Sequence, residues 1–411
     1  MEAQAAFIER LNRAREAGQA VWGGGWAPAR YAAAPGRVEV LGNHVDYNGG
    51  PVLAAAIDRL TVVVGEASDR ARGSLDVLLT DMNTSVPVQF APGELGDWRN
   101  TSGSQHPGDF VRGVAASLIA RDKPMRVARF AVASSVPIGV GVSSSAALCV
   151  ALTLAFCEES PGLKELVLIA QEAEHRAGTP CGTMDQSASA AGGMIRFDGS
   201  TLNARQLNPD LEGHAFLLID SGVKRSLVNS SYPRRVEECR QALASFNAIP
   251  GAGFSNLASI TAADLSRLAR DPDWEADPVL IRRARHVITE VERVNKGEAA
   301  LIDKDWRLFG QLMTESGQSS ATDYDISHAV VEELVQVLIG LPGVLGARMM
   351  GGGEGGSLIA LIEPDDRDEI RNAAQSAVNH TMQQSGEPRP VYRFDFAPGA
   401  RQGLIKDLLN S

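Results

Sequence analysis

The stretch from Gly36 to Gly50, GRVEVLGNHVDYNGG, constrains this chain more than any other. A short extended run, Val38–Leu41, leads into glycine-rich turns that carry Asn43, His44 and Asp46, with Arg37 just upstream. A polar group buried without a partner costs free energy, so a core tolerates few of them. This density of directional donors and acceptors suits a wall facing a polyhydroxylated ligand better than it suits a hydrophobic core.

The chain has 411 residues, enough for two or three domains. With 44% apolar and 22% charged residues it reads as globular. A net charge of −11 argues against non-specific nucleic-acid binding and against adhesion to anionic membranes. It leaves an anionic substrate open, because a site can be locally positive. No apolar run reaches the roughly 18–20 residues that span a bilayer. The start, MEAQAAFIERLNRAREAG, mixes acids and bases as an amphipathic helix does and lacks the pattern of a signal peptide. Cys149, Cys157, Cys181 and Cys239 show no metal-type CxxC spacing, so reduced thiols in a cytoplasm are expected.

There is no internal repeat and no low-complexity tract. Val38–Leu41, Val52–Ile57, Leu60–Val64 and Val127–Ser134 read as strands, and Ala146–Cys157 and Leu163–His175 as helices. Further on, Phe216–Ile219, Ala347–Met350, Ser357–Ile362 and Val391–Phe396 read as strands, and Pro233–Phe246, Ile281–Asn295 and Val330–Leu338 as helices. Strands in runs, with helices grouped between them, predict an α+β fold. A polar stretch near 205 divides the expected domains into 1–205 and 206–411.

Three further segments carry chemistry. The first is Pro137–Ala147, PIGVGVSSSAA, where two glycines and three serines lead into a helix. A helix N-terminus presents unpaired N–H groups and a partial positive charge, and beside a glycine loop it can cradle phosphate. A serine N-cap is the plainer alternative, and the local residues leave both open. The segment lacks the GxxxxGK[ST] lysine of a P-loop. The second is GGGEGG, residues 351–356, which contains a formal GxGxxG. The residues after it read as a strand, whereas a dinucleotide loop must open a helix. Its glycines are expected to let backbone approach backbone or ligand closely. The third is Pro180–Gln186, PCGTMDQ, where Asp185 on spacing alone reads as a helix cap ahead of a catalytic group.

Taken in order, the Arg37–Gly50 segment, PIGVGVSSSAA and MMGGGEGGS resemble the three motifs of the GHMP small-molecule kinases. Within that superfamily the chain resembles galactokinases. HVDYNGG, CGTMDQ, the stretch SGVKRSLVNSSYPRRVEEC (Ser221–Cys239) and the helix RARHVITEVERV (Arg283–Val294) all match. The usual form of the first motif is GRVNLIGEHTDYNGG. The resemblance implies a two-domain α+β architecture, with a ribosomal protein S5 domain 2-like first domain and a ferredoxin-like second one. It implies ATP and Mg2+ as cofactors, and phosphoryl transfer to the anomeric hydroxyl of galactose. It also implies a small-molecule sugar partner, no nucleic-acid or membrane partner, and a monomer or weak dimer.

The implied roles follow residue by residue. Asp185 would take or orient the O1 proton, and Arg37 would stabilise charge between donor and acceptor. Gly139, Gly141, Ser143, Ser144, Ser145 and Ala146 would hold ATP, with Ser145 and Glu174 on Mg2+. Asp46, His44, Tyr232 and the backbone of Gly182 would hold the sugar. Lys224 and Arg225 match a pair of unclear role. Two residues depart from the pattern. Asn43 stands where a glutamate would accept a hydrogen bond from the C6 hydroxyl. Asparagine accepts more weakly but can also donate. It would spare a C6 carboxylate the like-charge repulsion, on the order of 1–4 kcal/mol at about 4 Å, that glutamate imposes. Galactose is therefore expected, with galacturonate or the C6-lacking L-arabinose as alternatives. Glu354 replaces an aromatic residue in the third motif. A non-catalytic galactose and ATP sensor is the alternative of another class, but Arg37, Ser145, Ala146 and Asp185 are all present.

Overall fold

A computed structural model describes residues 2–69, 71, 73–82, 86–102, 106–223, 231–268, 277–381 and 390–408. Lys224 and Arg225 lie outside the described residues. The strands are β1 (Arg30–Leu41), β2 (Pro51–Gly65), β3 (Leu75–Leu79), β4 (Val88–Phe90), β5 (Arg129–Ser134), β6 (Met194–Asp198), β7 (Asn203–Gln206), β8 (Ala215–Asp220), β9 (Val344–Met349), β10 (Ser357–Ile362), β11 (Val391–Phe394) and β12 (Arg401–Leu404). The helices are α1 (Glu2–Trp22), α2 (Pro92–Leu95), α3 (Pro107–Ile119), α4 (Ser144–Phe156), α5 (Leu163–Arg176), α6 (Met184–Ala191), α7 (Tyr232–Asn247), α8 (Ala262–Leu268), α9 (Pro278–Asp303), α10 (Trp306–Thr322), α11 (Ala329–Ile339), α12 (Arg367–Thr381) and α13 (Ile405–Leu408). None of the described helices is long and apolar enough to cross a membrane.

Two sheets organise the molecule. The first runs β12-β1-β2-β5-β3-β4, and β6 pairs with both β2 and β7. The second is the antiparallel sheet β11-β8-β10-β9. The α+β class expected from the sequence is therefore the one seen. The two strands expected at Val52–Ile57 and Leu60–Val64 are one strand, β2. The strand runs unbroken through Asp58 and Arg59, which sit half-buried at a shift in its pairing to β1, between the Pro35–Leu60 and Arg37–Ala56 pairs.

Helices α3, α4 and α5 bury their apolar faces on one side of the first sheet, while α1 covers Val62, Val64 and Ala131 on the other. A third apolar cluster joins the halves, with Val38, Val40 and Leu53 from the first sheet meeting Leu218 and Ile359 from the second and Phe309 of α10. The passage from one sheet to the other falls between β7 and β8, close to 205. The second half does not keep its end, however. β12 pairs with β1, and Phe396 and Pro398 bridge to Ile57 and Gly192, so the last residues of the expected 206–411 domain belong to the first sheet.

Candidate active site

The end of β1, the turn after it, the β5–α4 loop, the α5–α6 connection, the start of α7 and the β9–β10 loop converge on a cavity of about 260 Å³, which Met82 and the start of α3 also line. Strand alternation explains what β1 contributes. Val38 and Val40 face the apolar cluster between the sheets, so Arg37 and Glu39 point the other way, toward the cavity. The β1–β2 register shifts between Pro35 and Arg37 and again between Glu39 and Leu41. Such bulges re-aim side chains at site walls.

Arg37 holds Asp185 in a two-pronged pair, with Nε to Oδ1 at 2.7 Å and Nη2 to Oδ2 at 2.6 Å. Its third donor, Nη1, reaches the Gly141 carbonyl at 2.8 Å. Burial opposes the guanidinium charge, but Asp185 outweighs it and the Arg37 pKa lies above its ordinary value. Asp185 sits in the first turn of α6, where an anion is favoured. Ser143 donates to the Asp185 carboxylate, so the glycine-serine loop and the acid touch directly.

That loop has the shape expected of an anion cradle. Gly139 and Gly141 have φ of +80° and +83°, and Ser143, the residue before α4, has φ of +55°. Its side chain caps nothing. Gly139, Gly141, Ser143, Ser144 and Ser145 line the cavity, whereas Ala146 is fully buried and can offer only its backbone. Ser145 Oγ donates to Glu174 at 2.7 Å, and Gln186 Nε2 holds the other Glu174 oxygen at 2.5 Å. Burial pushes the Glu174 carboxyl up to about 7. A buried carboxylate beside a hydroxyl, with no ion pair among the described residues, is a donor pair that fits a hard divalent ion shared with phosphates. Among the described residues no cluster of three His, Cys, Asp or Glu side chains forms a protein-only metal cage.

At the other end, Asp46 occupies a single 3-10 turn, Asp46–Asn48, and faces Gly182 so closely that a Cβ at 182 would lie 2.0 Å from its Oδ2. Only glycine leaves room there. Burial raises the Asp46 carboxyl to about 7. The Tyr232 hydroxyl takes a hydrogen bond from the Gly182 N–H. His44, at φ +60°, hydrogen-bonds Tyr47 at 2.8 Å through Nδ1 and packs its ring 5.3 Å from Tyr232 and 5.1 Å from Tyr324.

Asn43 is the residue the structure does not bring to the cavity. It is fully buried, its Oδ1 accepts from Ser320 at 2.9 Å, and its Nδ2 donates to the Gly351 carbonyl at 2.8 Å and to Glu39 at 3.0 Å. Both amide N–H groups are used, and Asn43 does not line the cavity. The carboxylate that Asn43 touches, Glu39, is on the wall, and the sequence reading passed over it. The signal was available: Glu39 lies two positions after Arg37 in a strand, and the usual motif carries asparagine at 39 and glutamate at 43. Glu354 does not face solvent idly either. Both its oxygens lie 3.2 Å from the Ser231 N–H, at the start of α7. The glycines around it meet the expectation of close approach, since a Cβ at Gly355 would sit 2.5 Å from the Val223 carbonyl.

Comparison with known proteins agrees with this geometry. Residues 22–67 match the galactokinase galactose-binding signature, residues 109–193 the GHMP kinases N terminal domain and residues 298–380 the GHMP kinases C terminal model. The chain is 34% identical to human galactokinase over 97% of its own length and 98% of that protein. It is 36% identical to galactokinase from Chloroflexus aggregans, over 84% of this chain and 87% of that one. In three dimensions it superposes on Lactococcus lactis galactokinase complexed with galactose with a TM-score of 0.84, at 24% identity, covering 95% of this chain and 99% of that one.

Proposed function

The chain belongs to the galactokinase family of GHMP kinases, and from that premise we propose that it transfers the γ-phosphoryl group of ATP to the anomeric hydroxyl of galactose, giving galactose 1-phosphate. The observation that carries the chemistry is the Arg37–Asp185 pair standing inside the cavity, with Ser143 of the phosphate loop on the same carboxylate. Phosphoryl transfer asks a protein mainly for positioning and charge stabilisation. Asp185 accepts the O1 proton or orders the hydroxyl. Arg37 is fixed through three donors and offers its charge where the transferred group passes. Asp46, Tyr232, Gly182 and His44 form the sugar end.

The backbone N–H groups at the start of α4, with Gly139, Gly141 and Ser143–Ser145, receive the phosphates of ATP. Ser145 and Glu174 would hold Mg2+, which would supply charge neutralisation to the phosphates of ATP. A sensor that binds without turnover would not need Asp185 clamped between Arg37 and Ser143. The hexuronate alternative loses its support with Asn43 withdrawn from the wall and Glu39 on it.

The test is ATP consumption with Mg2+ across galactose, galacturonate, N-acetylgalactosamine, L-arabinose, fucose and glucose, with the phosphorylated carbon identified by NMR. Galactose is expected to lead in kcat/KM by about tenfold or more, with phosphate on C1. If no sugar is phosphorylated at C1, the kinase reading is wrong.

A further inference from the structure

We propose that Glu39 is a specificity-determining residue of the sugar end: its carboxylate accepts a hydrogen bond from a ring or C6 hydroxyl and bars acidic sugars, with Arg348 and Asn43 holding it in position. The inference rests on the kinase reading above and deepens it.

The geometry is specific. Glu39 shares the cavity wall with His44, Asp46 and Gly351. Its Oε1 is occupied, accepting from Arg348 Nη2 at 2.8 Å and from Asn43 Nδ2 at 3.0 Å. Its Oε2 takes a 3.2 Å contact from the same Nδ2 that Oε1 already uses. A carboxylate oxygen accepts two hydrogen bonds, so Oε2 has acceptor capacity to spare. Arg348 is fully buried and also donates to the Val40 carbonyl at 3.0 Å, so it can neither turn away nor be replaced by solvent. Asn43 is pinned by Ser320 and Gly351. The carboxylate is thus clamped from behind, with one edge toward the cavity, which is how a site fixes a directional acceptor for a polyol.

The charge balance then sets the substrate class. Glu39 and Asp46 stand together on the wall, burial raises both carboxyls against the pull of Arg348 and Arg37 on Glu39, and the Glu39 charge raises Asp46 further. A third carboxylate brought in on the sugar would worsen both. Neutral sugars avoid that cost, and a sugar bearing an amine would offset it. Measured against the motif GRVNLIGEHTDYNGG, this chain has exchanged the amide and the carboxylate at positions 39 and 43 while keeping the two groups in contact. The pair therefore acts as a unit.

The experiment compares wild type with Glu39→Gln, Asn43→Glu and the exchanged pair Glu39→Asn/Asn43→Glu, using galactose, its monodeoxy analogues and galacturonate. Glu39→Gln should raise the KM for galactose about tenfold or more, with kcat changed far less. One monodeoxy sugar, poor with wild type, should suffer no further loss in that variant, and it identifies the hydroxyl. Galacturonate should be about a hundredfold poorer than galactose with wild type and gain on galactose in Glu39→Gln. Asn43→Glu alone sets two carboxyls in contact and should lose activity, and adding Glu39→Asn should restore most of it. If Glu39→Gln does not fold, the exchanged pair decides. The proposal is overturned by an unchanged galactose KM, by an equal loss on every sugar, or by an exchanged pair no better than Asn43→Glu. Wild-type turnover of galactose judges the kinase reading separately.

Discussion

Asp185 takes its importance from what it touches. Its carboxylate receives two donors from Arg37, 148 positions away, and one from Ser143. Asp185→Asn keeps the shape and removes the proton acceptor, so kcat should fall by about 10²–10⁴ while calorimetric galactose affinity stays within a few-fold. Near-normal kcat in that variant would remove Asp185 from the mechanism. Glu174 invites a different measurement. Burial raises its carboxyl from 4.5 to about 7, and binding a divalent ion requires the ionised form. The apparent affinity for Mg2+ with ATP should therefore weaken about tenfold per pH unit below about 7, with a proton released on binding. In Glu174→Gln that slope should vanish, and a slope that survives would place the ion elsewhere. At this scale the sequence was only partly legible. Residue types and spacing flagged Arg37, His44, Asp46 and the serines, but Asp185 on spacing alone read as a helix cap first. The pairing of Asp185 with Arg37 depends on tertiary structure, which spacing along the chain does not reveal. The setting of Asn43 is hidden for the same reason: nothing local tells that Ser320 and Gly351, from the other half of the chain, hold its amide.

Among the elements, the start of α7 shows how a distant loop aims a site side chain. Ser231 sits just before the helix and supplies no side-chain cap. Glu354, at φ +58° in the β9–β10 loop, supplies the missing acceptor and places a negative charge at the positive end of the helix. Tyr232 is the first residue of α7, so this contact fixes where its hydroxyl meets Gly182. Glu354→Ala should lower stability by about 1 kcal/mol and raise the KM for galactose more than it lowers kcat. Glu354→Asp should recover part of the loss. A KM unchanged in Glu354→Ala would show that Tyr232 is set by packing alone. Strongly patterned elements were readable: α4, whose AALCVALTLAF run is almost wholly buried, and β10 were both expected close to where they lie. The sequence reading did not name α3 or α10. The α10 sequence, WRLFGQLMTESGQSSAT, carries two glycines and five Ser or Thr residues, which weakens any helical signal. Its Gly310 and Gly317 serve packing instead, since a Cβ at either would collide with β9.

Across the whole molecule, the sugar turn is held by the other half of the fold. Glu290 of α9 is fully buried and accepts from the Gly42 N–H at 2.9 Å, the Asn43 N–H at 3.2 Å, Ser316 Oγ at 2.5 Å and Arg293 Nε at 2.7 Å. His286, one turn earlier on α9, bonds the Asn43 carbonyl at 2.9 Å. The turn that carries His44 and Asp46 is therefore only as rigid as its grip on α9. Burial works against the Glu290 charge, but Arg293, His286, Arg348 and Ser316 overcome it and bring the carboxyl from 4.5 down to about 2. A folded-state value below the unfolded one stabilises the protein above pH 4.5, and that stability is lost as pH falls toward 2, by about 3 kcal/mol in all. Asp46 and Glu174 act in the opposite sense. Their folded-state values near 7 exceed the unfolded ones, so the ligand-free protein should lose stability as pH rises from about 4 to about 7. From these groups alone, the ligand-free melting temperature should peak in the mildly acidic range. Mg2+ with ATP stabilises the ionised site and should move that peak upward in pH. Glu290→Gln removes the titrating group, so it should lower stability at neutral pH and flatten the acid limb between about 4.5 and 2. An acid limb as steep as that of wild type would mean that other carboxylates control it, and that α9 grips the turn through His286 and backbone packing and not through the Glu290 charge.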